Sequence, residues 1–265
     1  MHTFSELLPG HMPHARAMEQ VAGTCPEHGN FVTWRLVGSD ASTCPRCFAA
    51  ALRRETQETF FRDRVARLQS MSGVPARYGG AGFSNFEQPT QAHRQAVGIL
   101  TGYMRQIRDD ARQAQAWRPI VMHGGVGTGK THLVCALVNN LVSRGVSARY
   151  TTMQAMLADI RRAYGATDLT EAGQVDRYVN GPDLLVLDEA DLIRGTDNDL
   201  GLVFAVVNGR YNASRPMVMV SNQPPDGLAT YIGERTMSRM RENVALVSCP
   251  WPDCRGKNGI LTLPS

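Results

Sequence analysis

The sequence predicts an α/β fold with a mostly parallel sheet. From Thr90 onward, short apolar segments alternate with amphipathic ones, which is typical of strands joined by helices. The segment "DLLVLD" is apolar throughout between its two aspartates, as expected for a strand in the middle of a parallel sheet. The glycine-rich stretch "GGVGTGKT" lies between a short buried strand and a helix, the setting in which such loops bind phosphate.

The pattern divides the 265 residues into three regions. Residues 1–47 are loop-rich and predict a small module that resembles a zinc ribbon. Residues 48–89 begin with a charged helix over 48–70 and continue with a glycine- and proline-rich linker or irregular segment over 71–89. Residues 90–265 predict a single nucleotide-binding domain. Its predicted helices lie near 97–111, 131–145, 153–165, 200–213 and 231–242, and its predicted strands at 119–124, 148–152, 183–188, 216–222 and 244–249.

Composition and charge narrow the classes of function. The formal net charge of +4 permits contact with nucleic acid without requiring it. No apolar run approaches the roughly 18–20 residues of a membrane span, and the N-terminal stretch lacks the apolar core of a secretory signal. We therefore expect a cytoplasmic protein with no membrane partner. In that reducing compartment, clustered cysteines bind metal more often than they form disulfides.

The stretch from Gly124 to Thr131 matches the phosphate-loop pattern G-x-x-x-x-G-K-[ST] at every fixed position. Small residues let backbone N–H groups turn inward around phosphate oxygens, and the following helix presents its positive end. Lys130 is expected to reach the β- and γ-phosphates of ATP, and the Thr131 hydroxyl to bind Mg²⁺. The residues predicted to bind the nucleotide are Gly124, Gly125, Val126, Gly127, Thr128, Gly129, Lys130 and Thr131.

The stretch "LLVLDEAD" adds a carboxylate pair at the end of a buried strand. We expect Asp188 to hold Mg²⁺ and Glu189 to polarise the attacking water. The four letters DEAD also name a class of helicases, but the residues after Thr131 leave no room for the second domain that such helicases need. Asp191 is therefore interpreted as incidental, and we expect it to tolerate substitution far better than Asp188. Asn222, at the tip of the strand "VMVSN", is expected beside the phosphate loop.

Two pairs of ligand-type residues lie in the N-terminal region, and both have a two-residue spacing. Cys25, His28, Cys44 and Cys47 match a tetrahedral structural Zn²⁺ site. The alternative is a set of free thiols and a surface histidine. A region this small also needs such a staple to stay folded.

The segment "YIGERTMSRMRE" places Arg235 and Arg239 four residues apart, on one helix face. In a ring or filament of ATPases, such an arginine can reach the γ-phosphate of a neighbouring subunit. A solvated basic face or a DNA-contacting stripe is the alternative. Arg255, after "WPDC", is a further candidate near the nucleotide, or else a surface residue.

The segments "GGVGTGKTHL", "DLLVLDEAD", "VMVSNQP" and "YIGERTMSRMRE" occur in the order found in bacterial helicase loaders of the DnaC-like family, which this chain resembles over about residues 71–255. IstB-like transposition helpers look similar. The resemblance implies an AAA+ fold, ATP and Mg²⁺, self-association through the ATPase domain, and delivery of the hexameric replicative helicase onto single-stranded DNA. It also implies that Arg239, with Arg235 as a second candidate, acts as an arginine finger on a neighbouring subunit. It gives Asn222 the role of the residue that senses the nucleotide state, and Arg255 that of a second such sensor. The N-terminal Cys/His cluster departs from the helical helicase-binding region of the best-known loaders.

Two other functions remain open on the sequence. The first is a transposition helper that acts on duplex DNA, which has the same ATPase core. The second is a zinc-dependent adaptor that binds nucleic acid or protein and whose ATPase is incidental.

Overall fold

The computed structural model describes residues 18–38, 43–109, 119–165, 169–192, 195–242 and 244–254. It comprises two compact units, Met1–Arg62 and Asp63–Ser265. The division falls within one long helix, α1 (Pro45–Met71). Among the described residues, no helix combines the length and the apolar character needed to cross a membrane.

The first unit contains a β-hairpin where the sequence predicted loops. Strand β1 (Met18–Cys25) pairs antiparallel with β2 (Gly29–Leu36). The turn ends at Gly29, whose φ of 72° is in the left-handed region that glycine adopts most readily. The hairpin therefore places Cys25 at the end of one strand and His28 in the turn beside it.

The second unit is built on a five-stranded parallel sheet, which confirms the predicted α/β fold. The strands are β3 (Ile120–Gly124), β4 (Ala148–Thr152), β5 (Leu184–Asp188), β6 (Met217–Ser221) and β7 (Ala245–Cys249). Their order across the sheet is β4-β5-β6-β3-β7. The strand that leads into the phosphate loop thus lies between β6 and β7, and the carboxyl ends of all five strands meet at one edge.

Helices cover both faces of this sheet. They are α2 (Gln91–Asp109), α3 (Lys130–Val142), α4 (Met153–Arg161), α5 (Glu171–Val179), α6 (Asp197–Asn212), α7 (Pro225–Ile232) and α8 (Glu234–Arg241). Alternate residues of β3 point to opposite sides. Ile120 and Met122 pack in a core with α2 and α3, and Val121 packs in a second core with α4, α6, α7 and α8.

Three local features differ from the sequence prediction. Helix α5 was not predicted. The helix predicted over 231–242 is interrupted at Gly233, whose φ of 83° ends α7 and starts α8. The segment 71–89 packs on helix α3 of the second unit, since the Asn139 amide donates hydrogen bonds to the Tyr78 and Ala81 carbonyls.

A buried arginine of α6 bonds to two connections of the second unit, the one from α5 to β5 and the one from α6 to β6. Arg210 is fully buried, and its guanidinium donates to five backbone carbonyls: those of Tyr178, Val179, Pro182, Asp183 and Pro216. Burial lowers the pKa of Arg210 to about 9.

Arg210→Met is therefore expected to lower the free energy of unfolding of this unit by about 3–5 kcal/mol, because several buried carbonyls lose their donor. Urea unfolding measures the change. Arg177→Met, at an exposed position of α5, is the matched control and should change stability by less than about 0.5 kcal/mol. Equal stability of the two variants would contradict the structural role of Arg210.

Candidate functional site

The phosphate loop joins β3 to α3, and α3 begins at Lys130, as the sequence predicted. Gly127 and Gly129 have φ values of 78° and 83°. A Cβ on Gly127 would lie 1.9 Å from the Asp253 carboxylate, and one on Gly129 would lie 2.7 Å from the Phe86 ring. Both positions therefore require glycine for conformation and for space.

The Lys130 ammonium lies at the centre of the loop and is 7% exposed. It donates to the Gly124 carbonyl at 2.8 Å, to the Gly125 carbonyl at 2.7 Å and to Asn222 Oδ1 at 2.9 Å. Asn222 directly follows β6, which pairs with β3. The structure thus brings Asn222 to the phosphate loop, where the sequence predicted it.

A hydroxyl and a carboxylate with the chemistry of a Mg²⁺ site face each other beside the loop. Thr131 Oγ1 donates to Asp188 Oδ2 at 2.8 Å. Adjacent ligands of an octahedral Mg²⁺ ion are separated by about 3 Å, so these two oxygens fit a single ion. The Tyr150 hydroxyl, which the sequence did not indicate, also donates to Asp188 Oδ2, at 2.9 Å. Tyr150 therefore fixes the carboxylate from the side of β4.

Glu189 has a left-handed backbone, with a φ of 57°, and its side chain is exposed to the cavity in front of Asp188. Such a conformation costs a non-glycine residue free energy and is found preferentially at functional sites. Its N–H donates to Asp188 Oδ1 at 2.8 Å. Partial burial raises the pKa of Glu189, and the charges of Asp188 and Asp191 raise it further.

Asp191 is not the incidental residue that the sequence interpretation made of it. Its side chain is buried. One carboxylate oxygen accepts the Asn222 backbone N–H at 2.9 Å, and the other accepts Asn222 Nδ2 at 3.1 Å. The sequence gave no sign of this contact, because it depends on β5 and β6 being neighbours in the sheet.

These groups open into one cavity of about 660 Å³, a size suited to a small-molecule ligand. Aromatic rings also line it beside the phosphate loop: the Phe86 and His132 rings are 5.6 Å apart, and His93 stacks on Trp251 at 3.9 Å. Trp251 Nε1 donates to the Thr128 carbonyl of the phosphate loop at 2.8 Å. The cavity therefore combines cationic and hydrogen-bonding groups with flat aromatic surfaces, as a nucleotide requires.

The two candidate finger arginines lie on α8 and do not line this cavity. Arg239 Nη1 contacts Glu242 at 3.4 Å, and its guanidinium lies over the Tyr211 ring at 5.4 Å. Arg235 is exposed. Both border an open groove with Phe204. Arg255 lies outside the described residues.

The four N-terminal ligand candidates converge within the first unit. All four ligand atoms, on Cys25, His28, Cys44 and Cys47, lie within 4.8 Å of one another. Cys25 Sγ is 3.6 Å from Cys47 Sγ, and the Cys47 and Cys44 sulfurs are 3.3 and 3.8 Å from His28 Nδ1. Bonds of 2.3 Å to sulfur and about 2.0 Å to nitrogen in a tetrahedron give separations of about 3.5–3.8 Å. The cluster therefore fits Zn²⁺.

The ionisation of these thiols also favours a cation. Hydrogen bonds from the backbone of Glu27, followed by those from His28, lower the pKa of Cys25 to about 6. The neighbouring Cys25 thiolate raises the pKa of Cys47. A bound divalent ion would remove this repulsion, because thiolates are the form that binds metal.

Comparison with known proteins shows which protein family the chain matches. A model of the IstB-like ATP binding protein family matches residues 57–240. The replicative helicase loader DnaC of Escherichia coli (strain K12) is 25% identical over 193 residues, which are 73% of this chain and 74% of DnaC.

Two solved structures share the fold. The crystal structure of the DnaC helicase loader superposes with a TM-score of 0.54 at 18% identity, over 66% of this chain and 99% of that one. AMPPCP-bound DnaA from Aquifex aeolicus superposes with a TM-score of 0.55 at 23% identity, over 66% of this chain. The match spans half of DnaA's length. These likenesses confirm the predicted P-loop AAA+ fold.

Proposed function

The chain belongs to the family of IstB-like ATP-binding proteins, and from this premise we propose that it is an ATP-dependent loader of a replicative helicase onto single-stranded DNA. The observation that carries the proposal is the likeness to the helicase loader DnaC. The family match, over residues 57–240, includes the phosphate loop, the Asn222 strand and helix α8 except for its last residue. Residues 1–47 would form the zinc module, 48–89 the connection, and 90–265 the ATPase domain.

The residues of the cavity support ATP hydrolysis in the following roles. The backbone from Gly124 to Gly129 binds the phosphates, and Lys130 moves from its loop carbonyls to the β- and γ-phosphates. Thr131 and Asp188 would hold Mg²⁺, which would supply charge neutralisation on the phosphate oxygens. Glu189 accepts a proton from water as the water oxygen bonds to the γ-phosphorus. The bond to the bridging β–γ oxygen then breaks, and ADP leaves.

The position of α8 supports self-association. Arg235 and Arg239 lie away from the cavity of their own chain, so a role at a γ-phosphate requires a second copy. Arg235 is the more exposed of the two, whereas Arg239 contacts Glu242 and Tyr211. In an assembled ring or spiral, either guanidinium would offset charge in the transition state.

Loading is expected to fail when Lys130 is replaced by alanine, because the loop loses the cation that binds the terminal phosphates. We expect at least about 100-fold slower helicase loading by Lys130→Ala. The measurement is strand-displacement activity of the hexameric replicative helicase on DNA that it cannot load by itself. Arg105→Ala, at an exposed position of α2, is the control and should load at the wild-type rate.

Native mass spectrometry of the wild-type chain with that helicase, with and without ATP, tests the partner directly. We expect a complex that contains both proteins. Its absence in both conditions would refute the loader function, and full loading activity of Lys130→Ala would refute the dependence of loading on ATP.

The family match also favours a second function, a transposition helper that acts on duplex DNA. Binding assays with matched single-stranded and duplex oligonucleotides distinguish the two. Preference for the single strand in the presence of ATP supports the loader, and preference for the duplex supports the helper.

A further inference from the structure

The side chain of Asn222 is held between two groups of opposite charge. On one side, the Lys130 ammonium donates to Oδ1 at 2.9 Å. On the other side, the Asp191 carboxylate accepts Nδ2 at 3.1 Å and also the Asn222 backbone N–H at 2.9 Å. Asp191 therefore holds both the backbone and the side chain of one residue at the tip of β6.

The two neighbours permit only one orientation of the amide. An ammonium group can only donate, and an ionised carboxylate can only accept. The amide oxygen must therefore face Lys130, and the amide nitrogen must face Asp191. If the amide turned over, it would set two donors against each other at Lys130 and two acceptors against each other at Asp191.

This orientation decides what Asn222 can offer to a ligand. The amide nitrogen carries two N–H bonds, of which Asp191 accepts one. Asn222 lines the cavity together with Lys130, Thr131 and Glu189. The second N–H is thus available to an anionic oxygen in the cavity, whereas a turned amide would offer its oxygen and repel that anion.

We propose that Asp191 is a positioning residue for the phosphate-binding site, which fixes the Asn222 amide so that an N–H faces the terminal phosphate of ATP. Asp191 borders the same cavity and its charge also reaches Glu189, but its two hydrogen bonds go to Asn222, and the proposed effect runs through them. This role rests on the proposed function in that the ligand is ATP. It also separates Asp191 from Asp188, which holds the metal, and from Glu189, which activates water.

A double-mutant cycle on the full-length chain tests the proposal. Asp191→Asn keeps the shape of the side chain but replaces one carboxylate oxygen by an NH₂ group, which can only donate. The new side chain therefore cannot accept both hydrogen bonds from Asn222. We expect kcat for ATP hydrolysis to fall by about 10- to 100-fold, with KM changed less than about threefold. In an Asn222→Ala background, Asp191→Asn should have no further effect on kcat. Asp197→Asn, an exposed aspartate of α6, is the matched control.

Two results would overturn the proposal. One is a wild-type kcat in Asp191→Asn. The other is an equal loss of kcat with and without Asn222, which would mean that Asp191 acts by another route. Thermal unfolding of each variant is recorded in parallel, because a merely structural role would lower the melting temperature and change KM and kcat together.

A second measurement, of nucleotide affinity, distinguishes failure of the Asp191 proposal from failure of the loader function on which it rests. If the wild type hydrolyses no ATP, even with helicase and single-stranded DNA, the loader function fails. The ratio of the affinities for ATP and ADP still tests Asp191, since only ATP has the terminal phosphate. We expect the wild type to prefer ATP and Asp191→Asn to lose that preference by about tenfold. An unchanged ratio, or a wild type that binds ATP and ADP equally, overturns the role of Asp191.

Discussion

Replacing Glu189 by glutamine is expected to slow ATP hydrolysis by about 100- to 10,000-fold while leaving ATP binding intact. The amide keeps the size and polarity of the side chain but cannot accept a proton from water. The geometry favours this split between chemistry and binding. In the proposed function the backbone of the loop and Lys130 hold the phosphates, whereas Glu189 faces the cavity from the end of β5, directly after Asp188.

The measurements are single-turnover hydrolysis and equilibrium binding of a fluorescent ATP analogue. Asp188→Asn provides the contrast, since it should raise the Mg²⁺ concentration needed for half-maximal activity. Glu58→Gln, at an exposed position of α1, is the matched control and should behave as the wild type. A wild-type hydrolysis rate in Glu189→Gln would show that another group activates the water.

Local patterns predicted the parts of this site that follow one another in the chain. The phosphate loop, the strand that ends at Asp188 and the strand that ends before Asn222 are each visible as an apolar run with a polar end. Their mutual placement follows from the rule that parallel strands bring their carboxyl ends to one edge. That rule places Asn222 on the same edge as the phosphate loop, and the usual strand order of P-loop proteins had to be assumed to place the two side by side, as the pairing of β3 with β6 does.

The contacts that the sequence did not predict depend on which strands are neighbours in the sheet. Tyr150 reaches Asp188 because β4 pairs with β5, and Asp191 reaches Asn222 because β5 pairs with β6. No spacing along the chain encodes either pairing. The N-terminal hairpin was missed for a different reason. Strand β2 does alternate apolar and polar residues from Val32 to Leu36, but β1 shows no such alternation and those apolar residues of β2 are exposed, so the pair lacks the apolar face that identifies a half-buried hairpin.

Replacing Cys44 by serine is expected to abolish Zn²⁺ retention and to unfold the N-terminal hairpin. Four ligands share the binding energy of a structural zinc ion, so loss of one should lower Zn²⁺ affinity at least about 100-fold. Among the described residues, Val32 and Trp34 of the hairpin are 56% and 61% exposed and so contribute little burial. We therefore expect metal binding to provide most of the folding free energy of the hairpin.

Metal analysis of the purified full-length protein should give one zinc ion per wild-type chain and almost none for Cys44→Ser. Limited proteolysis should cleave within residues 18–38 only in the variant. Cys254→Ser is the matched control, because Cys254 is exposed and lies outside the cluster. The basal rate of ATP hydrolysis should be equal in the wild type and Cys44→Ser, since the phosphate loop and its carboxylates belong to the other unit. Cys254 borders the nucleotide cavity, so Cys254→Ser is a control for metal content and proteolysis only.

The Cys44→Ser variant also tests which partner the zinc module binds. If Cys44→Ser hydrolyses ATP normally but no longer forms a complex with the helicase, the module carries partner recognition, in place of the helical region of the best-known loaders. If the complex with the helicase still forms and binding to single-stranded DNA is lost, the module binds DNA. If the hairpin stays protected from proteolysis without metal, the zinc site is not what folds it, and the close approach of the four ligands needs another explanation.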